Sequence, residues 1–431
     1  LGVILKILGK LKEAELSTRK AIQLNPNYAK AHSNLGVILK ILGKLKEAEL
    51  STRKAIQLNP NYADAHSNLG VILNNLGKLK EAELSTRKAI QLNPNFAKAY
   101  FFLSTLPYSN ENNIWKNQLF SKSILNYNSR KDQFNIYYAR ANILHNEKKY
   151  KESAKYLQLA NNLKINLNPS NSEDLINKSK LLLSERKKDK VDEVNKDYPK
   201  SIFIVGIPRC GSTLVESIIT MNSIVDDLGE RDILETSFLK WKIPNQKLTL
   251  AQLYLKQINI YSRKLKTTTN KWLYNYLYTG IISTQIPNSK IIHCYRNPLD
   301  NILSIYRANF VRGNQFSSSI VDCAKVYLNQ DEVMTEYKKR FRDKIYDLNY
   351  DLLVSNPNKE IKSLISWLGW QWDDQYLSPH LNPRSVSTAS SVQVRFPINS
   401  KSVGGWKNYK DLLKPAMEII TKKNKYRNLV Y

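Results

Sequence analysis

The N-terminal part of the chain repeats one pattern of apolar and polar positions at a fixed interval. Three nearly identical copies begin at Leu1, Leu35 and Leu69. Each copy contains an apolar stretch with helical spacing, a Gly-Lys pair, a second helical stretch and the sequence Asn-Pro-Asn. The pattern predicts pairs of helices that turn at the glycine and end before the proline.

The second copy indicates how such a pair packs. Leu35, Gly36 and Leu39 share one face of its first helix, and Ala48 and Ala55 lie on one face of the second. Small residues at these positions let the two helices approach closely. The pattern resembles the tetratricopeptide repeat (TPR), and this resemblance implies a helical solenoid whose concave groove recruits a protein partner.

The repeat weakens toward the end of this region. Residues 139–164 still keep the register of a helix pair, as expected of a divergent terminal unit. We therefore assign 1–165 to a TPR helical repeat domain. Residues 166–198, which include Arg186-Lys187-Lys188, are polar and charged and predict a solvated linker or connecting helix.

From residue 199 onward, short apolar runs alternate with helical stretches. The pattern predicts buried strands at 201–205, 290–295 and 347–350, and helices at 213–221, 299–310 and 359–368. This alternation is typical of a mostly parallel sheet with helices on both faces. The predicted fold class is α + α/β: an N-terminal TPR α-solenoid followed by a P-loop-like α/β domain over 199–431.

Composition narrows the possible partners. The net charge of +29 favours anionic ligands such as nucleotides, although a Lys-, Asn- and Ile-rich composition accounts for part of it. Nucleic-acid binding has only the positive charge in its favour, and we do not expect it. The three widely spaced cysteines offer neither a metal pair nor a disulfide framework, so we expect no metal and a reducing, cytoplasmic compartment. The sequence contains no run of 18 apolar residues, so we expect no membrane span.

A glycine-containing loop follows the first predicted strand. Gly206 and Gly211 have the spacing of a phosphate-binding loop, which directs main-chain N–H groups and a helix N-terminus at an anion. Ser212 stands where nucleotide hydrolases carry lysine, so a kinase or hydrolase is the weaker hypothesis. Arg209 adds a positive charge inside the loop.

A second candidate follows the predicted strand at 290–295. Arg296 ends this strand, and Ser304 lies eight residues later in the next helix. Ligands of such sheets bind at the carboxyl ends of the strands, so this guanidinium and hydroxyl can converge on one phosphate.

The two motifs resemble those of sulfotransferases that use 3′-phosphoadenosine 5′-phosphosulfate (PAPS). The segment 208–214 is similar to their phosphosulfate loop, Pro-Arg-Ser-Gly-Thr-Thr-Leu, with Cys210 and Ser212 as conservative departures. The resemblance implies that Arg296 and Ser304 grip the 3′-phosphate. It implies PAPS binding by the loop residues Pro208, Arg209, Cys210, Gly211, Ser212, Thr213 and Leu214.

A C-terminal block at 387–409 resembles that of TPR-linked and tyrosylprotein sulfotransferases. In that group, a serine at the position of Ser390 contacts the sulfate or the bridging oxygen. Gly405 replaces a basic residue that commonly precedes the tryptophan, and Arg395 or Lys401 could substitute for it. Tyr350, in another block similar to the family, is expected to line the nucleotide site.

The same resemblance implies the catalytic groups. Glu230, in the sequence Leu-Gly-Glu-Arg that follows the first predicted helix of this domain, is expected to act as general base on the acceptor hydroxyl. Lys271 would stabilise the bridging oxygen and the transferred sulfuryl group together with Arg209 and Ser390. Asn270 stands where the family usually has Asp.

Two histidines bear on the choice of base. Cytosolic sulfotransferases use a histidine, and His380, in a predicted loop, is the alternative to a glutamate. His293 lies within a predicted buried strand, where we expect its ring nitrogens to be satisfied by the core.

These motifs predict an enzyme that transfers a sulfuryl group from PAPS to an acceptor hydroxyl. The acceptor is left open between a protein tyrosine, a glycan and a small alcohol. The TPR repeats would recruit the acceptor or a partner protein. The alternative is a TPR protein-interaction scaffold joined to a catalytically idle nucleotide-binding domain.

Overall fold

The computed structural model divides the chain into two compact units. The first comprises residues 1–167 and 383–395, and the second comprises 168–382 and 396–431. The structure describes residues 1–107, 114–184, 198–260, 266–310, 313–384, 386, 388 and 390–429. Within these ranges, no helix combines the length and the apolar composition that a membrane crossing requires.

The first unit is helical, and its helices follow the predicted repeats. Each complete copy forms two helices joined by a turn at glycine, and residues 139–164 lie within a further helix pair. The helices are α1 (Gly2–Ile7), α2 (Leu11–Leu24), α3 (Ala29–Ile41), α4 (Leu45–Leu58), α5 (Ala63–Asn75), α6 (Leu79–Leu92), α7 (Ala97–Thr105), α8 (Ile114–Phe120), α9 (Ser123–Asn126), α10 (Arg130–Asn146) and α11 (Tyr150–Leu167).

Close helix packing inside each repeat depends on the small residues that the sequence singled out. Ala48 and Ala55 of α4 are fully buried. A Cβ atom at Gly36 of α3 would overlap the Thr52 hydroxyl of α4. The predicted close approach of the two helices is therefore confirmed, because any larger side chain at this glycine would push them apart.

The segment 383–395 also packs within the first unit, although the sequence pattern assigned it to the α/β domain. The main-chain N–H of Val386 donates to the carbonyl of Asn75 at 3.2 Å. The Asn74 amide donates to the Ser391 hydroxyl at 2.9 Å. Val392 packs against an apolar cluster of the third repeat. Since these contacts join parts of the chain that are far apart in sequence, they lie beyond the reach of local sequence patterns.

The second unit contains a five-stranded sheet in the order β2-β3-β1-β4-β5, with every neighbouring pair parallel. Its strands are β1 (Lys200–Val205), β2 (Val225–Asp227), β3 (Thr267–Asn270), β4 (Ser289–Tyr295) and β5 (Ile345–Asn349). Its helices are α12 (Glu173–Ser184), α13 (Ser212–Ile219), α14 (Ile233–Trp241), α15 (Leu250–Ile258), α16 (Thr279–Gln285), α17 (Pro298–Tyr306), α18 (Ile320–Phe341), α19 (Tyr350–Ser355), α20 (Pro357–Leu368) and α21 (Lys410–Ile420). The α + α/β prediction is thus confirmed.

Several predicted elements need correction. The helix expected at 299–310 ends at Tyr306. The pattern placed its end too late because no glycine or proline directly follows Tyr306. Tyr350 begins α19 instead of ending a strand. Residues 173–184 of the predicted linker or connecting helix form α12, and Ser170 and Ser172, just before it, donate hydrogen bonds to Asp322 of α18. The charged run 186–188 lies outside the described residues.

Candidate active site

The carboxyl ends of all five parallel strands carry a candidate residue or loop. Since the strands run in one direction, these groups share one edge of the sheet, where ligands of such folds bind. The loop 206–211 follows β1, and four single residues follow the other strands directly or within three positions: Glu230 (β2), Lys271 (β3), Arg296 (β4) and Tyr350 (β5).

The loop after β1 is tight and anchored from α17. A Cβ at Gly206 would lie 2.5 Å from the carbonyl oxygen of Cys294, so only glycine fits between β1 and β4. Arg209 and Gly211 both have positive φ, at 70° and 98°. The Asn301 amide donates to the Pro208 carbonyl at 2.9 Å. The loop shape is thereby fixed before α13 begins, as an anion-binding turn requires.

Some loop residues pack into the apolar core, and others lie where a ligand could bind. Cys210 is fully buried in the apolar core, and Leu214 packs against the same cluster. A contact between Cys210 and a ligand would therefore come from its main chain. Ser212 and Thr213 form the first turn of α13, where main-chain N–H groups have no acceptor within the helix.

Arg209 lies among other guanidinium groups. Its Nε donates to the Ser304 hydroxyl at 3.0 Å. Burial, together with repulsion from Arg296 and Arg307, lowers the pKa of Arg209 to about 10. A fold that gathers like charges in this way favours an anionic ligand that neutralises them.

Arg296 packs over the ring of Tyr350, with its guanidinium carbon 4.7 Å from the ring centroid. It donates to the carbonyl of Ser402 at 2.8 Å, and the hydroxyls of Tyr350 and Ser402 lie 3.0 Å apart. The Nε of Arg296 is buried and has no hydrogen-bond partner among the described residues. The nearest acidic oxygen, Asp351 Oδ1, is 3.9 Å away, so this N–H can still donate to a ligand oxygen.

Ser304 and Arg296 were expected to grip one phosphate together. In the structure, the Ser304 hydroxyl is bonded to Arg209, whereas Arg296 is held by Ser402 and Tyr350. Their joint contact with a phosphate stays a prediction.

A buried aspartate holds the turn around Gly405. The carboxylate of Asp300 accepts from the main-chain N–H of Gly404 at 2.7 Å and of Trp406 at 2.9 Å. Burial raises the pKa of Asp300, and these two hydrogen bonds oppose the rise. Lys401, named as a substitute for the missing basic residue, is exposed, and its contact with a phosphate stays a prediction.

The predicted base and the predicted lysine are in direct contact. The ladder between β2 and β3 continues past both strands, since Lys271 N–H donates to the Gly229 carbonyl at 3.0 Å. The Lys271 ammonium then donates to Glu230 Oε1 at 2.6 Å. Lys271 is fully buried, whereas the Glu230 side chain is 43% exposed. An accessible carboxylate beside a buried ammonium suits a group that exchanges a proton with a substrate.

Asn270, which replaces the usual Asp, braces the loops around this pair. Its side-chain oxygen accepts from Trp272 N–H at 3.1 Å and from the Asn275 amide at 2.8 Å. Its NH₂ group donates to the Arg231 carbonyl at 3.3 Å. An amide can both accept and donate, so this substitution supports the loop geometry next to Lys271.

The histidines have different surroundings. His293 is buried, and its two ring nitrogens lie 2.8 Å from Asp347 and 2.6 Å from Gln330, which confirms a satisfied core position. His380 lies in a short 3₁₀ helix at 379–381, remote in sequence from each strand end that bears a candidate. Within the described ranges, no group of three or more His, Cys, Asp or Glu side chains is arranged to hold a metal.

Ser390 and Arg395 belong to the segment that packs in the first unit. The Arg395 guanidinium donates there to the carbonyls of Asn75 at 3.4 Å and Arg384 at 2.7 Å. Their proposed contacts with the nucleotide and the sulfuryl group stay predictions.

Sequence reasoning missed several residues of the second unit. Arg307 lies three positions after Ser304, one helical turn away, which is a signal that could have found it. Glu216 is a single acid inside an apolar helix and resembles an ordinary core-edge residue. Asn301 and Ser402 act through a side-chain amide and a carbonyl that no motif marks.

Comparison with known families agrees with this geometry. Residues 235–374, which include Lys271, Arg296, Ser304 and Tyr350, match the sulfotransferase family. Residues 1–28, 29–62 and 63–96 match tetratricopeptide repeats. The chain therefore contains TPR repeats and a region similar to the sulfotransferase family.

Individual relatives cover about half of this chain. An uncharacterized protein of Aquifex aeolicus is 31% identical over 244 residues, which are 51% of this chain and 32% of that protein. A putative protein-tyrosine sulfotransferase of Caenorhabditis briggsae is 24% identical over 243 residues, covering 49% of this chain and 81% of that protein. The chain thus spans about a third of the length of the Aquifex relative.

Among solved structures, the sulfotransferase domain of the Synechococcus PCC 7002 olefin synthase aligns with 54% of this chain and 98% of its own length. The TM-score is 0.38, and the sequence identity is 16%.

Proposed function

We propose that this protein transfers a sulfuryl group from PAPS to an acceptor hydroxyl. The observation that carries the proposal is the contact of Glu230 with buried Lys271, at the same sheet edge as the Arg209 loop. The Glu230 charge acts on Arg209 and opposes the lowering of its pKa, so the base and the loop share one electrostatic environment. A base, a buried cation and an anion-binding loop are the parts that sulfuryl transfer needs.

The described residues fit a nucleotide that carries phosphate and sulfate groups. Arg296 and Arg307 both repel the positive charge of Arg209, and the Arg296 Nε makes no hydrogen bond among the described residues. Loop N–H groups from Arg209 to Thr213 would hold the phosphosulfate, with Pro208 and Leu214 shaping the loop. Arg296 and Ser304 would hold the 3′-phosphate, and Tyr350 would line the site.

PAPS, when bound, supplies an activated sulfuryl group with a phosphate as its leaving group. Glu230 accepts the proton of the acceptor hydroxyl while the acceptor oxygen bonds to sulfur. The bond between sulfur and the bridging oxygen breaks, and its electron pair stays on adenosine 3′,5′-bisphosphate. Lys271 and Arg209 stabilise the charge that develops on that oxygen. Ser390 is proposed to contact the sulfuryl group, and Arg395 the nucleotide.

The acceptor class stays open between a protein tyrosine, a glycan and a small alcohol. The name of the Caenorhabditis relative supports a protein acceptor. The TPR repeats would recruit the acceptor or a partner protein, as stacked helix pairs commonly do. The three buried free thiols support a reducing compartment.

Turnover of PAPS labelled with radioactive sulfur tests the proposal. Purified protein is incubated with mixed peptide, glycan and alcohol acceptors, beside Arg209→Ala and a matched Arg342→Ala variant. Arg342 is an arginine of the same unit whose side chain is 68% exposed. We expect transfer by the unmodified protein and by Arg342→Ala, and loss of transfer in Arg209→Ala.

Other outcomes separate the alternatives. PAPS that binds without transfer to any acceptor would favour the TPR scaffold with an idle nucleotide domain. Phosphate release from ATP would favour a nucleotide hydrolase. A protein that does not bind PAPS would refute the proposed function.

A further inference from the structure

The helix that follows the nucleotide loop carries a buried carboxylate with no role in the mechanism above. Glu216 lies in the second turn of α13 and is 1% exposed. The Thr269 hydroxyl of β3 donates to its Oε1 at 3.4 Å. Burial of a carboxylate is costly unless a positive charge compensates for it.

The compensating charge is the ammonium of Lys271. Its Nζ lies 3.7 Å from Glu216 Oε2 and 2.6 Å from Glu230 Oε1. Lys271 therefore has two carboxylate neighbours on two different elements. The side chain of Glu216, on α13, is 1% exposed, whereas that of Glu230 is 43% exposed and reaches solvent.

The proposed reaction changes the charge of only one of these neighbours. When Glu230 takes the proton of the acceptor hydroxyl, its carboxylate becomes neutral. Lys271 would then be a buried cation without a counter-ion unless a second carboxylate stayed ionised beside it. Glu216 can be that second carboxylate because its Oε2 lies 3.7 Å from Lys271 Nζ and it takes no part in the proton transfer.

We propose that Glu216 is a positioning residue for the transfer reaction: it holds Lys271 in place, and keeps it compensated, while Glu230 is protonated. The inference rests on the proposed function. No proton passes to Glu216, and Lys271 keeps its own proton throughout. The ammonium is thus free to turn from Glu230 toward the sulfuryl oxygens without losing its buried partner.

The primary test is Glu216→Gln, which keeps the side-chain shape and removes the charge. We expect kcat to fall about ten- to a hundredfold, as for residues that orient a reacting group elsewhere. KM for PAPS should change less than about threefold, because only the transition state loses stabilisation. Asp331→Asn is the matched control, since Asp331 pairs with Lys425 at 2.6 Å in the same unit. That control should keep the turnover of the unmodified protein.

A double-variant cycle separates positioning from a purely structural role. If Glu216 acts through Lys271, adding Glu216→Gln to Lys271→Met should change the residual kcat less than about twofold. A further drop as large as in the single variant would overturn the inference. So would an unchanged kcat in Glu216→Gln.

The same double-variant cycle can be measured by protein stability, without an activity assay. Chemical denaturation of the same four proteins measures the coupling between residues 216 and 271. In the Lys271→Met background, Glu216→Gln removes a buried charge that has lost the adjacent Lys271 ammonium, so we expect the unfolding midpoint to rise toward that of the unmodified protein. Additive effects would show that the two residues do not interact, and would overturn the inference.

The two proposals can fail separately. If the unmodified protein transfers sulfate but Glu216→Gln is unaffected, only the inference about Glu216 is refuted. If the unmodified protein transfers nothing, the proposed function is refuted, and the denaturation cycle still decides whether Glu216 holds Lys271.

Discussion

Ion pairs of the repeats and of the candidate site lie in opposite surroundings. In the repeats, Arg19 and Glu47 lie 3.0 Å apart with side chains 44% and 52% exposed. The next repeat copies this contact as Arg53 with Glu81 at 2.7 Å. Lysines form a second ion pair between successive repeats, Lys44 with Glu15 and Lys78 with Glu49.

In the second unit, the ion pair beside the candidate base is enclosed. Lys271 is fully buried, and Glu216 is 1% exposed. An exposed pair contributes little because water and salt screen it, whereas removing one partner of a buried pair leaves a charge without compensation. Burial, more than the number of pairs, therefore decides which ion pairs matter for stability and function.

The largest expected effect comes from Lys271→Met. The buried Glu216 would lose its counter-charge, so the free energy of unfolding should fall by about 3–5 kcal/mol. Sulfuryl transfer should fall to a small residual rate. The control is Lys44→Met in the repeats, where the lost partner of Glu15 was an exposed lysine, and we expect a loss below about 1 kcal/mol. Chemical denaturation monitored by tryptophan fluorescence measures both, and equal losses would contradict the comparison.

A smaller effect is expected for two glycines with positive φ. A Cβ at Gly211 would overlap the Tyr350 ring, whereas one at Gly9 of the repeats meets open space. Backbone strain and overlap together predict that Gly211→Ala costs about 2–4 kcal/mol, against about 1–2 kcal/mol for Gly9→Ala. Displacement of Tyr350 should also weaken binding of adenosine 3′,5′-bisphosphate at least about tenfold.

Calorimetric titration of both glycine variants with that nucleotide provides the check. Gly9→Ala should bind as the unmodified protein does. Unchanged affinity in Gly211→Ala would show that the contact between the loop and Tyr350 does not shape the nucleotide site.

The third repeat departs from its copies where it meets segment 383–395. Asn74 and Asn75 replace Lys40 and Ile41 of the preceding copy. Both asparagines are buried; the Asn74 side chain donates to Ser391, and the main-chain carbonyl of Asn75 accepts from Val386. We expect the double change Asn74→Lys with Asn75→Ile to destabilise the first unit by about 1–3 kcal/mol and to release the segment.

Limited trypsin digestion reads out this release, since Arg384 lies inside the segment. Cleavage after Arg384 should accelerate in the double variant. The converse change in the preceding copy, Lys40→Asn with Ile41→Asn, is the control and should leave that cleavage rate unaltered. Equal cleavage rates in both would mean that the asparagines do not hold the segment.

The sequence predicted those parts of the molecule whose signals are local. Helix pairs followed from the repeat, and β1 and β4 from short apolar runs that end at Gly206 and Arg296. β3 escaped prediction because it reads Thr-Thr-Thr-Asn, which is polar in sequence yet buried in the sheet. In a parallel sheet with both faces covered, the β-branched shape of threonine suits the strand, and the Thr269 hydroxyl donates to Glu216.

The candidate site was predictable to the same extent. The contact of Glu230 with Lys271 follows from β2 and β3 being neighbours, which no motif encodes. The proposed role of Glu216 depends on its contacts with Thr269 of β3 and with Lys271, which are distant in sequence. The association of 383–395 with the repeats depends on contacts such as that of Asn74 with Ser391, which are distant in sequence. Pairing of distant elements, in each case, is what sequence patterns leave undetermined.

The smallest expected effect is that of Arg53→Ala. This arginine bonds Glu49 within its own helix and Glu81 in the next repeat, and all three side chains contact solvent. We expect a loss below about 1 kcal/mol that nearly disappears at about 1 M salt, where the Debye length is about 3 Å. Arg19→Ala, at the equivalent position one repeat earlier, should behave the same way and combine additively with it. Chemical denaturation at low and high salt tests both variants. A salt-insensitive loss as large as that of Lys271→Met would show that solvent exposure does not determine how much these ion pairs contribute to the free energy of unfolding.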